Sequence, residues 1–301
     1  MFETPPHETN AGTSRRRMRR FQNIAALSLL LGLTGLAGCE DVQSLHLDPL
    51  ATSGRDGNAP AVTFEATMHI AAASRAAGDY GNAINLYRHA AEMQSSNPEP
   101  FIAMGDTLVE MGKVDEAITN YNAALSLDPR APAALRGLAK AYLRTGRPDL
   151  AGNPLAVAYQ YTPGDPKLLL LIGVADDFIG QHADAQARYQ QALRYAPGDR
   201  SLTLDLALSL ALSEKFDQAI ALLRPMAYAP GATPQERQTL ALIYGLKGDE
   251  GAARELARHD LDPASVDHNL AFYETLRHLP PDARSRAILS ATAAGRTVPQ
   301  S

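Results

Sequence analysis

An apolar stretch from Ile24 to Leu36 stands behind a basic cluster, and a polar stretch from Glu40 to Ala61 follows it. Beyond that point small and apolar residues return every 34 positions. One slot reads Ala71, Gly105, Ala139, Gly173, Ala207 and Ala241; a second, twelve residues on, reads Ala83, Ala117, Ala151, Ala185, Ala219 and Ala253. A third holds Gly78, Gly112, Gly146, Gly180, Glu214 and Gly248, and a late one holds Ser95, Pro129, Pro163, Pro197 and Gly231. A bulky slot holds Tyr87, Tyr121, Leu155, Tyr189 and Leu223. Self-similarity at this period predicts stacked helical units, each burying its apolar face against the next.

Each slot has a mechanical reading. The two small-residue slots fall on successive helices and let their backbones approach; a larger side chain there would overpack the contact at about 1–3 kcal/mol. The glycine ends the first helix in the left-handed conformation, and the proline stops the second. The tyrosine fills the space between neighbouring helices. Period and residue set together resemble the tetratricopeptide repeat. The resemblance implies an all-α fold, a right-handed solenoid of about six helix pairs over residues 64–97, 98–131, 132–165, 166–199, 200–233 and 234–267, plus C-terminal capping helices. The last two units drift. Glu214 replaces the turn glycine, and Met226 and Asp260 occupy a slot that is Ala90, Ala124, Ala158 and Ala192 elsewhere, which leaves the turn geometry there open.

After the repeats, Val266, Leu270, Phe272, Tyr273 and Leu276 keep helical spacing, and the segment DARSRAILSATAA reads as one more helix. A solenoid needs such elements to cover its last apolar face. The expected organisation is therefore a signal segment at 1–38, a tether at 39–61, the array at 62–267, capping helices at 268–294 and a tail at 295–301.

The first segment reads as an export signal, with Arg15, Arg16, Arg17, Arg19 and Arg20 ahead of an apolar run too short for a comfortable membrane span. An ordinary secretory signal is one reading. Leu36-Ala37-Gly38-Cys39 resembles the bacterial lipobox, which makes Cys39 the candidate lipidation site and the membrane a partner through a lipid anchor. Cys39 is the one cysteine of the chain, so no internal disulfide forms. Translation from Met18 would leave a shorter basic region of Arg19 and Arg20. Glu40 and Asp41 follow the cysteine, a position that sorts bacterial lipoproteins between membranes; the outer membrane is the expected destination. The tether would span roughly 25 Å as a flexible coil.

Charge narrows the partners. The chain carries 28 basic and 33 acidic residues, and without residues 1–38 these become 23 and 31, a net charge of −8. So acidic a body is a poor match for a phosphate backbone, and no nucleic-acid partner is expected. Nor is catalysis. No phosphate loop of the G-x-x-x-x-G-K-[ST] type is present, and no serine stands in G-x-S-x-G context. His259 and His268 bracket DLDPASVD, but Asp262-Pro263 reads more simply as a turn with a capping carboxylate. No cofactor or metal is expected.

The repeats offer a groove instead. In tetratricopeptide arrays the first helix of each pair lines the concave side, with partner-facing positions at the second, fifth, ninth and twelfth of each unit. Arg136, Lys140 and Arg144 share one helical face, and Lys167 is the second position of unit four. Leu170, Val174, Leu204, Leu208 and Leu242 hold the same slots in units four to six. A basic band beside an apolar floor suits an amphipathic or extended peptide with an acidic flank. The alternative is that the next unit or the capping helices cover the leucines, while the basic residues neutralise Asp106 and Glu110.

One further resemblance bears on the partner. Glu236–Arg277 is similar to the corresponding segment of the Tad (tight adherence) pilus assembly lipoproteins, the TadD-like family. The run R-Q-x-L-A-L-x-Y-G-L-x-G at 237–248 and D-L-D-P…N-L-A-F-Y at 260–273 carry the match, with Thr239 where the family usually has asparagine. This implies a lipid-anchored envelope scaffold facing the periplasm that helps assemble Flp-type pili, with the secretin or other assembly components as protein partners. A general scaffold for cell-wall or outer-membrane machinery is the alternative.

Overall fold

Fourteen helices run through residues 63–293, the part of the chain that the computed structural model describes, and those residues form no strand. Cys39, the expected signal and tether, and the tail at 295–301 lie outside the described residues. The helices are α1 (Phe64–Ala76), α2 (Tyr80–Met93), α3 (Glu99–Glu110), α4 (Val114–Leu127), α5 (Pro132–Arg144), α6 (Pro148–Tyr161), α7 (Pro166–Phe178) and α8 (His182–Tyr195). They continue as α9 (Arg200–Leu212), α10 (Phe216–Ala227), α11 (Pro234–Lys247), α12 (Glu250–Ala257), α13 (Pro263–His278) and α14 (Pro281–Ala293). No helix among the described residues is long and apolar enough to cross a membrane.

The boundaries follow from local chemistry. Thr63, Asp79, Asp165, Asp199, Asp249 and Asp262 each turn a side-chain oxygen onto a first-turn N–H of the helix they precede. Thr233 and Glu236 form a reciprocal capping box at α11. Proline occupies the first turn of α5, α6, α7, α11 and α13, where its missing N–H costs nothing. The turn between paired helices is left-handed throughout. Glu214 adopts φ +61° there, so the unit lacking glycine keeps the same turn and carries the strain of a side chain in that region.

Packing uses the repeating slots as their size requires. Ala83, Ala117, Ala151, Ala185, Ala219 and Ala253 are fully buried, as are Ala71, Ala139, Ala207 and Ala241. Tyr121 is seated between Gly105 of its own unit and Gly137 of the next. Met226 is half-buried against the main core, and Ala227 beside it is buried. Asp260 serves as an ion-pair partner of Arg237.

The pairs stack so that one row of helices is inside. Each odd-numbered helix from α3 packs on the next odd-numbered one as far as α13, whereas no two even-numbered helices pack against each other to a similar degree. The odd row is therefore the inner, concave side. α13 packs on α11 and α12 and closes the stack. It begins at Pro263, so the boundary expected after residue 267 falls inside it. α14 does not prolong the stack. It turns back at Leu279-Pro280 and lies across α5, α7 and α9 on the inner side.

Candidate partner-binding site

The open part of the inner side holds a pocket of about 390 Å³. α1 gives it Arg75, α3 gives Asp106 and Glu110, α5 gives Arg136 and Lys140, and α7 gives Lys167, Leu170 and Leu171. Tyr121 forms part of the wall, and a Cβ on either Gly105 or Gly137 would run into its ring.

The charges sort into committed and uncommitted groups. Arg75 donates through Nη2 and Nε to Glu110 at 2.5 and 3.1 Å, and its Nη1 lies 3.7 Å from Asp106. The hydrogen bonds from Arg75 hold the Glu110 carboxyl below the ordinary glutamate range, with the Lys140 charge acting in the same direction. Tyr121 donates its hydroxyl to Asp106 at 2.7 Å, and burial, then the Asp106 charge, pushes the phenol up. Arg136 pairs with Asp165, the residue that caps α7, at 2.9 Å. Arg144 donates to the Val109 carbonyl at 3.1 Å, one helix turn beyond the pocket. Lys140 and Lys167 are exposed and make no ion pair among the described residues. Two ammonium groups thus stand beside half-buried Leu170 and Leu171. An acidic group next to an aliphatic side chain would find both halves of its chemistry there.

Of the residues expected to form the groove, Arg136, Lys140, Lys167 and Leu170 come together in the pocket. Arg144 and half-buried Val174 lie outside its lining. Leu204, Leu208 and Leu242 are 8 %, 7 % and 8 % exposed and belong to the main core with Ile288 and Leu289 of α14. They are interior residues, because α14 and the neighbouring units close over that half of the inner side. Arg75 was not singled out by the sequence, although it holds the twelfth position of unit one. A usable signal exists: Arg75–Glu110 and Arg200–Glu236 join residues one repeat plus one or two positions apart.

A second polar cluster lies where α14 crosses. His182 Nδ1 is 2.7 Å from Asp177 Oδ1, Ser209 donates to the same oxygen at 2.7 Å, and Tyr189 donates to Oδ2 at 3.0 Å. The other imidazole nitrogen, Nε2, is 3.3 Å from the Ser285 hydroxyl of α14. With Nδ1–H donated to the carboxylate, Nε2 accepts from Ser285. The order hydroxyl, imidazole, carboxylate is that of a hydrolytic triad, but Ser285 is 3 % and Asp177 1 % exposed, so the set ties α14 to α7, α8 and α9.

The residues that carry the Tad resemblance have packing roles. Arg237 donates to Asp260 at 2.8 Å, joining the two matching runs, and Gly245 leaves room for the Tyr273 ring. Of the histidine pair, both members are exposed, and among the described residues no group of three or more His, Cys, Asp or Glu converges to hold a metal ion.

Geometry and sequence comparison agree on the class. Tetratricopeptide-repeat families match residues 74–119, 105–146 and 170–235. Over those stretches the chain carries tetratricopeptide repeats, and the described residues form an all-helical repeat solenoid. The chain is 28 % identical over 228 residues to the cellulose synthase operon protein C of Xanthomonas axonopodis pv. citri, a match covering 72 % of this chain and 15 % of that protein. The fold is shared with PilF of Pseudomonas aeruginosa at a TM-score of 0.57 and 18 % identity, over 69 % of this chain and 97 % of that one. It is shared with PilW, described as a widely conserved type IV pilus biogenesis factor, at 0.59 and 17 %, over 64 % and 90 %. A tetratricopeptide repeat protein from Parabacteroides merdae gives 0.58 and 14 %, over 72 % and 86 %.

Proposed function

We propose that this chain is a non-catalytic scaffold, lipid-anchored through Cys39 in the outer membrane and facing the periplasm, that takes part in assembling Flp-type pili of the Tad class. Its pocket holds an acidic, extended segment of the secretin or of another assembly component. The observation that carries the reading is the pair of exposed ammonium groups outside any ion pair among the described residues, Lys140 and Lys167, beside the Leu170–Leu171 floor. The motif runs at 237–248 and 260–273 support the choice of machine, and so does the fold shared with two proteins whose names tie them to pili. Several acyl chains on Cys39 would keep the array on the membrane, since one chain alone gives marginal binding.

A second reading, a general envelope scaffold for cell-wall or outer-membrane machinery, is favoured by the likeness to a protein named for a cellulose synthase operon. A deletion strain separates the two. Loss of surface pili by microscopy is expected; normal pili would remove the Tad reading and leave the general one. In the same strain, Lys140→Glu with Lys167→Glu should abolish pili and co-purification of the secretin without lowering the amount of lipidated protein. Normal pili in that variant would refute the pocket as the docking site.

A further inference from the structure

α14 occupies the place of a ligand more than that of a cap. α13 already closes the stack on α11 and α12, while α14 lies across α5, α7 and α9 on the side that this architecture offers to partners. It presents one face. Ile288 and Leu289 are 2 % and 5 % exposed, and one turn earlier Arg284 and Ser285 make the polar contacts. Arg284 Nη1 lies 3.1 Å from the Glu214 carboxylate, and Ser285 reaches His182. The seat is imperfect: Arg284 Nε is buried with no hydrogen-bond partner among the described residues. A helix of 13 residues has little stability once unseated. The open pocket also shares two of its helices with this seat. Ala133, Arg136, Gly137 and Lys140 are on α5, and Lys167, Leu170 and Leu171 are on α7. A partner that follows the inner side beyond the pocket meets α14 next.

We infer that α14 is a displaceable occupant of the inner face, and that the seat beneath it takes an amphipathic helix of a partner with α14's own pattern: two adjacent aliphatic side chains, with a basic and a hydroxyl side chain one turn before them. Helix-in-groove recognition reads such anchors at one-turn spacing. Until the partner arrives, α14 keeps the core leucines covered. The inference stands apart from the pilus reading, because it names a seat and a side-chain pattern, not a machine.

The test uses the full chain and a labelled peptide with the sequence of residues 281–293. A tethered helix competes at an effective concentration in the millimolar range, so a free copy with an intrinsic Kd on the order of 100 µM is held off about tenfold. The Ile288→Glu, Leu289→Glu variant should therefore bind the peptide about tenfold more tightly than the unaltered chain, with the helical circular dichroism of the array retained. Equal binding to both, or to neither, overturns the inference. Should that variant fail to fold, Arg284→Glu replaces the ion pair with Glu214 by a repulsion, also losing the hydrogen bond to the Leu279 carbonyl, and should raise peptide affinity, while adding Glu214→Arg should restore the closed state. Hydrogen exchange on the unaltered chain gives an independent reading. Amides of α14 are expected to exchange through a local opening faster than those of α11 and α13. Exchange only through global unfolding would show that α14 is a fixed part of the core.

Discussion

Gly105→Ala tests the contact between the paired helices of the second unit, on the ring that also meets the third. An added Cβ would stand 2.6 Å from Tyr121 Cε1 and 2.9 Å from Cδ1 and Cζ, well inside van der Waals contact. The ring has little freedom to retreat. Gly137 backs it on the far side, and its hydroxyl is held by Asp106 at 2.7 Å. Overpacking of this kind costs about 1–3 kcal/mol, against a gain of up to about 1 kcal/mol in helix propensity from replacing glycine. The net is a destabilisation of about 1–2 kcal/mol, or roughly 2–8 °C in Tm for an array of this length. Gly152→Ala is the control: it sits exposed in α6 with nothing within 4 Å of an added Cβ, so propensity alone should raise stability by about 0.5–1 kcal/mol. Thermal and urea melts followed by circular dichroism compare the pair. The chain supplies its own rescue, because unit three pairs Ala139 with Leu155 where unit two pairs Gly105 with Tyr121. In a Tyr121→Leu background, Gly105→Ala should therefore become neutral or stabilising. Equal effects of Gly105→Ala and Gly152→Ala, or no change of sign in that background, would refute the clamped ring.

Two other outcomes follow from strain and burial. Glu214→Gly relieves a left-handed side chain and should stabilise the array by about 0.5–1 kcal/mol in melts, while the same change, by removing the Arg284 partner, speeds hydrogen exchange in α14; a loss of stability would show that the turn carries no strain. Burial, then the Asp177 and Asp199 charges, pushes the Asp205 carboxyl from 3.8 up to about 7, and Asp176 rises to about 6, chiefly through burial. The folded chain holds these protons more tightly than the unfolded one, so their contribution is full below the unfolded value and lost as pH rises through the folded ones. Stability should fall between about pH 4 and 7, by on the order of a few kcal/mol, and Asp205→Asn should remove most of that slope; a profile unchanged by the substitution would refute the assignment.

The sequence made the stack legible because the same packing demand recurs in every unit. A buried alanine at 83, 117, 151, 185, 219 and 253 is one constraint stated six times. The turn at Glu214 was harder to read, since its conformation is imposed by the helices on either side and not by the residue. The pocket was half legible. Arg136, Lys140, Lys167 and Leu170 follow from position within the unit, whereas the commitments of Arg136 to Asp165 and of Arg75 to Glu110 depend on side-chain reach across a unit boundary. The course of α14 was not legible. Its contacts with His182 and Glu214 span 103 and 70 residues, and nothing periodic links them.

The seat of Tyr121 has a consequence for how such a chain changes over time. Gly105 and Tyr121 belong to one unit and Gly137 to the next, so the lock is shared across the 34-residue boundary. Duplicating or swapping a unit at that boundary would part the ring from one of its glycines. The heritable module is then the joint, a tyrosine with the two small residues that flank it, and insertions or recombination would be tolerated inside a unit's loops more readily than between units.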